Sequence, residues 1–94
     1  MSVDKLLPMR LRIRALQAQL RMRREAIGKC RLRLALEGVE LGNRPITFSQ
    51  WVRRYPLQVG EYNLRDTERN LHVAMNEYQL EKIDVAIKKS RTRA

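Results

Sequence analysis

Leu6, Met9, Ile13, Leu16, Leu20, Arg23, Ile27, Cys30 and Leu34 follow one another at alternating intervals of three and four residues. A helix returns to the same face about every 3.6 residues, so such a run makes one continuous seam, whereas a strand, with its period of two, would scatter it over both faces. Only Arg23 in the series is not apolar. Ser2 or Asp4 is placed to cap the start, Pro8 is tolerated in a first turn, and Gly38 and Gly42 stand where a helix should stop. The pattern predicts a long helix over about residues 5–37, which Gly28 weakens locally without breaking the period. A second stripe, Leu7, Leu11, Met22, Leu32 and Leu36, runs along another side of the same helix. One neighbouring helix cannot cover both stripes.

The rest of the chain supplies a partner helix. After a connector, Thr47 and Gln50 form a capping-box pattern ahead of Phe48, Trp51, Val52 and Tyr55 at helical spacing. A short helix over about residues 47–55, ending before Pro56, is predicted. Asn63 and Asp66 then suit the start of a second long helix over about residues 64–89. Leu64, Leu71, Met75, Tyr78 and Val85 line one of its sides, while Val73, Leu80, Ile83 and Ile87 fall on roughly the opposite one. A chain of 94 residues buries only a modest part of its surface when alone. The predicted fold is therefore all-α: a single-domain helix-loop-helix hairpin of two long helices with a short connecting helix, dimerising into a four-helix bundle. Four of the five aromatic residues, Phe48, Trp51, Tyr55 and Tyr62, crowd into the middle segment, where they are expected to plug the end of the hairpin.

The charge is polarised along this framework. Ten basic residues and two acidic ones lie in the first 36 positions, giving +8 of the formal +10. Arg10, Arg14, Arg21 and Arg24, with Gln17 among them, fall within about 80° of one another around an ideal helix and span roughly 21 Å along it. Solvated helix faces ordinarily mix signs, and this one has almost no acid to offset it. Arginine outnumbers lysine 15 to 5, and its planar fork grips phosphate with two donors where lysine offers a point charge. Lys29 and Arg31 extend the basic helix, and Lys88, Lys89, Arg91 and Arg93 make a basic tail over residues 88–94. Trp51 and Tyr55 flank Arg53 and Arg54, a mixture that single-strand binders use for stacking plus charge. Arg23, in a core-type position, needs a partner such as Glu77 or Glu81, or a route for its head group to water.

With one cysteine and one histidine, Cys30 and His72, one chain can build no disulfide, zinc cluster or iron–sulfur site. No cofactor or metal is expected, and no nucleophile with its base suggests an enzyme. No apolar run approaches the roughly 20 residues that cross a bilayer, so no integral membrane association is expected; with its lone cysteine and no secretory-signal pattern, the chain is expected to be soluble and intracellular, cytoplasmic or nucleoid/nuclear. The sequence thus predicts a homodimer that binds nucleic acid, duplex favoured, through its phosphate backbone and with little base specificity. The alternative is a small helical adaptor, inhibitor or assembly protein whose basic heptad helix docks on an acidic protein partner.

Overall fold

The computed structural model describes residues 4–42 and 46–92. They form two helices, α1 (Leu6–Leu36) and α2 (Phe48–Thr92), packed against each other as a hairpin. The molecule is a rod of 70 × 20 × 15 Å with a radius of gyration of 20.7 Å, far from the roughly 12 Å of a compact domain of this length.

Helix α1 occupies the span its heptad predicts. Asp4 holds its start, with Oδ1 accepting a hydrogen bond of 3.0 Å from the Leu6 amide; Ser2 lies outside the described residues. At the far end Gly38 adopts φ 74°, a left-handed conformation that costs a residue with a β-carbon about 1–2 kcal/mol. This turn lets the Val39 amide donate to the Leu34 carbonyl at 2.9 Å and the Gly38 amide to the Ala35 carbonyl at 3.1 Å. The paired bonds satisfy carbonyls that the helix end would leave open, and they fold Val39 back onto Leu34. Both side chains are buried in one cluster with Ile27 and Leu57, against which Cys30 and Leu64 pack.

Helix α2 differs from the prediction of a short helix, a break and a second long helix. Thr47 caps its start, Oγ1 accepting from the Gln50 amide at 3.3 Å, but the helix then runs through Pro56 without interruption. A proline removes one backbone donor and crowds the carbonyl four residues back, here that of Val52. The residue after the proline, Leu57, is 6% exposed and anchored in the core, which holds the helix across this point. Nor does Asn63 begin a helix: its carbonyl accepts a hydrogen bond from the buried Thr67 hydroxyl at 3.0 Å, as a residue inside a helix does. The part of the predicted tail that is described, residues 88–92, is helical too, as α2 extends to Thr92.

The helices run antiparallel. Arg31 Nη2 meets Glu61 Oε1 at 3.0 Å and Arg24 Nη2 meets Glu68 Oε1 at 3.8 Å, so seven residues back along α1 match seven forward along α2. Every member of the predicted α1 seam is buried or half-buried, with Leu20, Ile27 and Leu34 deepest. Leu57, Leu64, Thr67, Leu71, Ala74, Tyr78 and Val85 face them from α2 at heptad intervals, while Met75, predicted on this side, is 44% exposed. A β-carbon placed on Gly60 would lie 3.4 Å from Cγ1 of Ile27, which shows how closely the helices approach there.

Candidate nucleic-acid interface

Arg10, Arg14, Gln17, Arg21 and Arg24 are all exposed. Extending the same alternation of four and three residues leads through Gly28 to Arg31, so the line keeps a constant bearing relative to α2. Its mean direction is about 90° from the face α1 turns toward α2, on the 100° per residue of an ideal helix. The arginines therefore stand out from one flat side of the hairpin. Between Lys5 and Arg24 the chain has seven basic residues and no acid.

Two members of the line are already engaged. Arg24 and Arg31 reach across to Glu68 and Glu61 on α2, with arginine side chains 60% and 57% exposed. Arg10, Arg14 and Arg21 make no ion pair among the described residues. The unpaired members of the line thus lie in the N-terminal half of α1. Exposed ion pairs of this kind contribute about 0–1 kcal/mol, so Arg24 and Arg31 remain available to a stronger anion.

The remaining predicted contacts divide by position. Lys29 is exposed but projects about 100° around the helix from the mean of the arginine line, and does not join it. The antiparallel register brings the C-terminal end of α2 beside the start of α1. It therefore sets Lys88, Lys89 and Arg91 at the same end of the rod as Lys5 and Arg10. Lys88 is held by Asp84 at 3.1 Å, and neither Lys88 nor Lys89 is free of partners. Arg93 lies outside the described residues. For Arg23 the expected pairing with Glu77 or Glu81 is not formed: the register sets those acids level with residues 15 and 11, more than two turns away. Arg23 is half-buried on the seam, a partial exposure by which a long cationic side chain can reach water without an acidic partner.

The aromatic residues do not plug the hairpin. Phe48 is 79% exposed, Trp51 44%, Tyr55 52% and Tyr62 69%. Their position follows from the helix ends: Leu34 shares the terminal cluster with Leu57, so the turns of α2 before Leu57 project past the end of α1 with no helix alongside. There Phe48 and Trp51 stack with centroids 6.1 Å apart and planes at 19°, and Tyr55 lies 5.7 Å from Trp51. Trp51 and Tyr55 are open to a ligand, but Trp51 is roughly 25 Å along α2 from Glu68, the partner of Arg24. The structure does not bring the rings to Arg10, Arg14 and Arg21, although Arg53 and Arg54 accompany them.

Among the described residues no three histidine, cysteine or acidic side chains are placed to hold a metal ion, and no helix is long and apolar enough to cross a membrane. No protein family, curated protein or solved structure matches the chain.

Proposed function

We propose that the protein binds nucleic acid, duplex in preference to single strand, by laying the arginine line of α1 along phosphates, and that it does so as a dimer of hairpins in a four-helix arrangement. The observation that carries this reading is the exposed set Arg10, Arg14 and Arg21, unpaired among the described residues, on one straight face of a helix with no acid from residue 5 to 24. A rigid helix presents such forks at fixed spacing, and each phosphate neutralised releases counterions. Phosphate contacts position a protein without reading bases, so little sequence specificity accompanies this mode. A mobility-shift titration against duplex DNA, duplex RNA and single strands, over a series of salt concentrations, tests it. Unrelated duplexes should bind alike, with affinity falling steeply as salt rises; no binding to any of them at low salt would overturn the reading.

One observation favours a second reading. Leu7, Leu11, Met22, Leu32 and Leu36 are between 49% and 80% exposed on the edge of α1 that faces away from α2. Apolar residues bordered by arginines suit an acidic amphipathic partner as well as a phosphate backbone. The same titration separates the two, since an adaptor of that kind would retard no nucleic acid.

A further inference from the structure

The outward face of α2 carries a heptad of its own. From Phe48, alternating steps of four and three residues reach Val52, Tyr55, Val59 and Tyr62, then Asp66 and Arg69. The same alternation continues through Val73, Asn76, Leu80 and Ile83 to Ile87. All twelve are exposed, and the face lies roughly 150° around the helix from the one packed on α1. A strict alternation of four and three sustained over 40 residues is the pattern of a coiled-coil seam. Nothing among the described residues covers it.

We infer that this seam pairs antiparallel with the same seam of a second copy, about a twofold axis that crosses α2 between Thr67 and Glu68. The inference specifies the pairing of copies proposed above and does not depend on nucleic-acid binding. Antiparallel pairing around that axis sets Asp66 against Arg69 of the second copy, and Arg69 against its Asp66. Neither residue forms an ion pair within its own chain among the described residues. Moving outward, Tyr62 meets Val73, Tyr55 meets Leu80, Val52 meets Ile83 and Phe48 meets Ile87, each ring against an aliphatic side chain. Only the layer of Val59 with Asn76 is mixed.

The two charges select this arrangement. Sliding the copies by one heptad would set Asp66 against Tyr62 or Asn76, and Arg69 against Val59 or Val73, leaving both charges unpaired in an apolar seam. A parallel pairing in register would set Asp66 on Asp66 and Arg69 on Arg69, and like charges at such a contact are costly. The surface area agrees with a second copy as the occupant. A compact monomer of 11.1 kDa exposes about 5,700 Å², whereas this chain exposes 7905 Å². The excess, roughly 2,200 Å², lies within the share that each subunit of an obligate homodimer buries, roughly 1,000–2,500 Å².

The resulting assembly is a layer of four helices, α1 and α2 of one copy followed by α2 and α1 of the other. Its twofold axis stands perpendicular to the layer, so the arginine lines of both α1 helices emerge on the same side. They are separated by three helix spacings, roughly 24–30 Å.

Charge reversal tests the register. The mass of the wild-type chain in solution, measured without nucleic acid, should be about twice 11.1 kDa. Asp66→Arg and Arg69→Asp should each weaken association by about tenfold or more, and the double variant Asp66→Arg/Arg69→Asp should restore it. In a Cys30→Ala chain, Tyr62→Cys/Val73→Cys should yield an oxidised covalent dimer, whereas Tyr62→Cys/Leu80→Cys, one heptad out of register, should not. Far-ultraviolet circular dichroism checks that each variant stays helical. A monomeric wild type would overturn the pairing itself. A dimer in which the double reversal fails to recover, or in which the out-of-register pair cross-links, would overturn this interface alone.

Discussion

Glu61 holds Arg31 at 3.0 Å across the helix pair, and it thereby occupies the last cation of the line that begins at Arg10. Glu61→Gln removes that competitor and raises the net charge by one. Affinity for duplex nucleic acid should rise in the titration above, with a slightly steeper dependence on salt. Thermal stability should move by less than about 1 kcal/mol, because the pair is partly exposed. A large loss of stability without tighter binding would make Glu61 a structural residue.

Leu57 and Trp51 separate the core from the projecting end. Leu57 is 6% exposed beside Ile27, Leu34 and Val39, and Leu57→Ala should cost about 2–5 kcal/mol in urea denaturation. Trp51→Ala should cost clearly less, despite removing a larger side chain, since 44% of the residue is already in water. Equal losses would put the ring back in the core.

Pro56 lies inside α2, where a proline is unfavourable by about 3 kcal/mol relative to alanine. Pro56→Ala should therefore raise the denaturation midpoint. Gly38→Ala should lower the stability by about 1–2 kcal/mol, because the residue has φ 74°. If Pro56→Ala were neutral or destabilising, the continuous helix through residues 52–60 would be wrong.

How far the sequence reveals this architecture depends on whether local patterns compete with packing. The α1 seam is legible because eight apolar positions in register outweigh one glycine and one arginine, and Gly38 ends the helix through a conformation glycine tolerates. The break that Pro56 predicts does not occur: proline's local preference yields where Leu57 is fixed by three buried neighbours. The aromatic residues are ambiguous for a related reason, since helical spacing says they share a face but not whether a second helix reaches that far. The line from Arg10 to Arg24 can be read from spacing alone, whereas the engagement of Arg24 and Arg31 by Glu68 and Glu61 requires the antiparallel register, which no local pattern encodes.

The salt dependence of binding tests the central claim most directly. Glutamine keeps helix propensity close to that of arginine, so the triple variant Arg10→Gln/Arg14→Gln/Arg21→Gln should retain its helicity and its mass. If each of the three arginines neutralises one phosphate, the slope of log affinity against log salt on B-form DNA should flatten by about 2.7 for each protomer whose line engages, and by about twice that where both lines of the dimer do, from about 0.9 per contact. The loss should be similar on unrelated sequences. An unchanged slope in a folded triple variant would contradict the account and reassign the arginine face of α1 to an acidic protein partner.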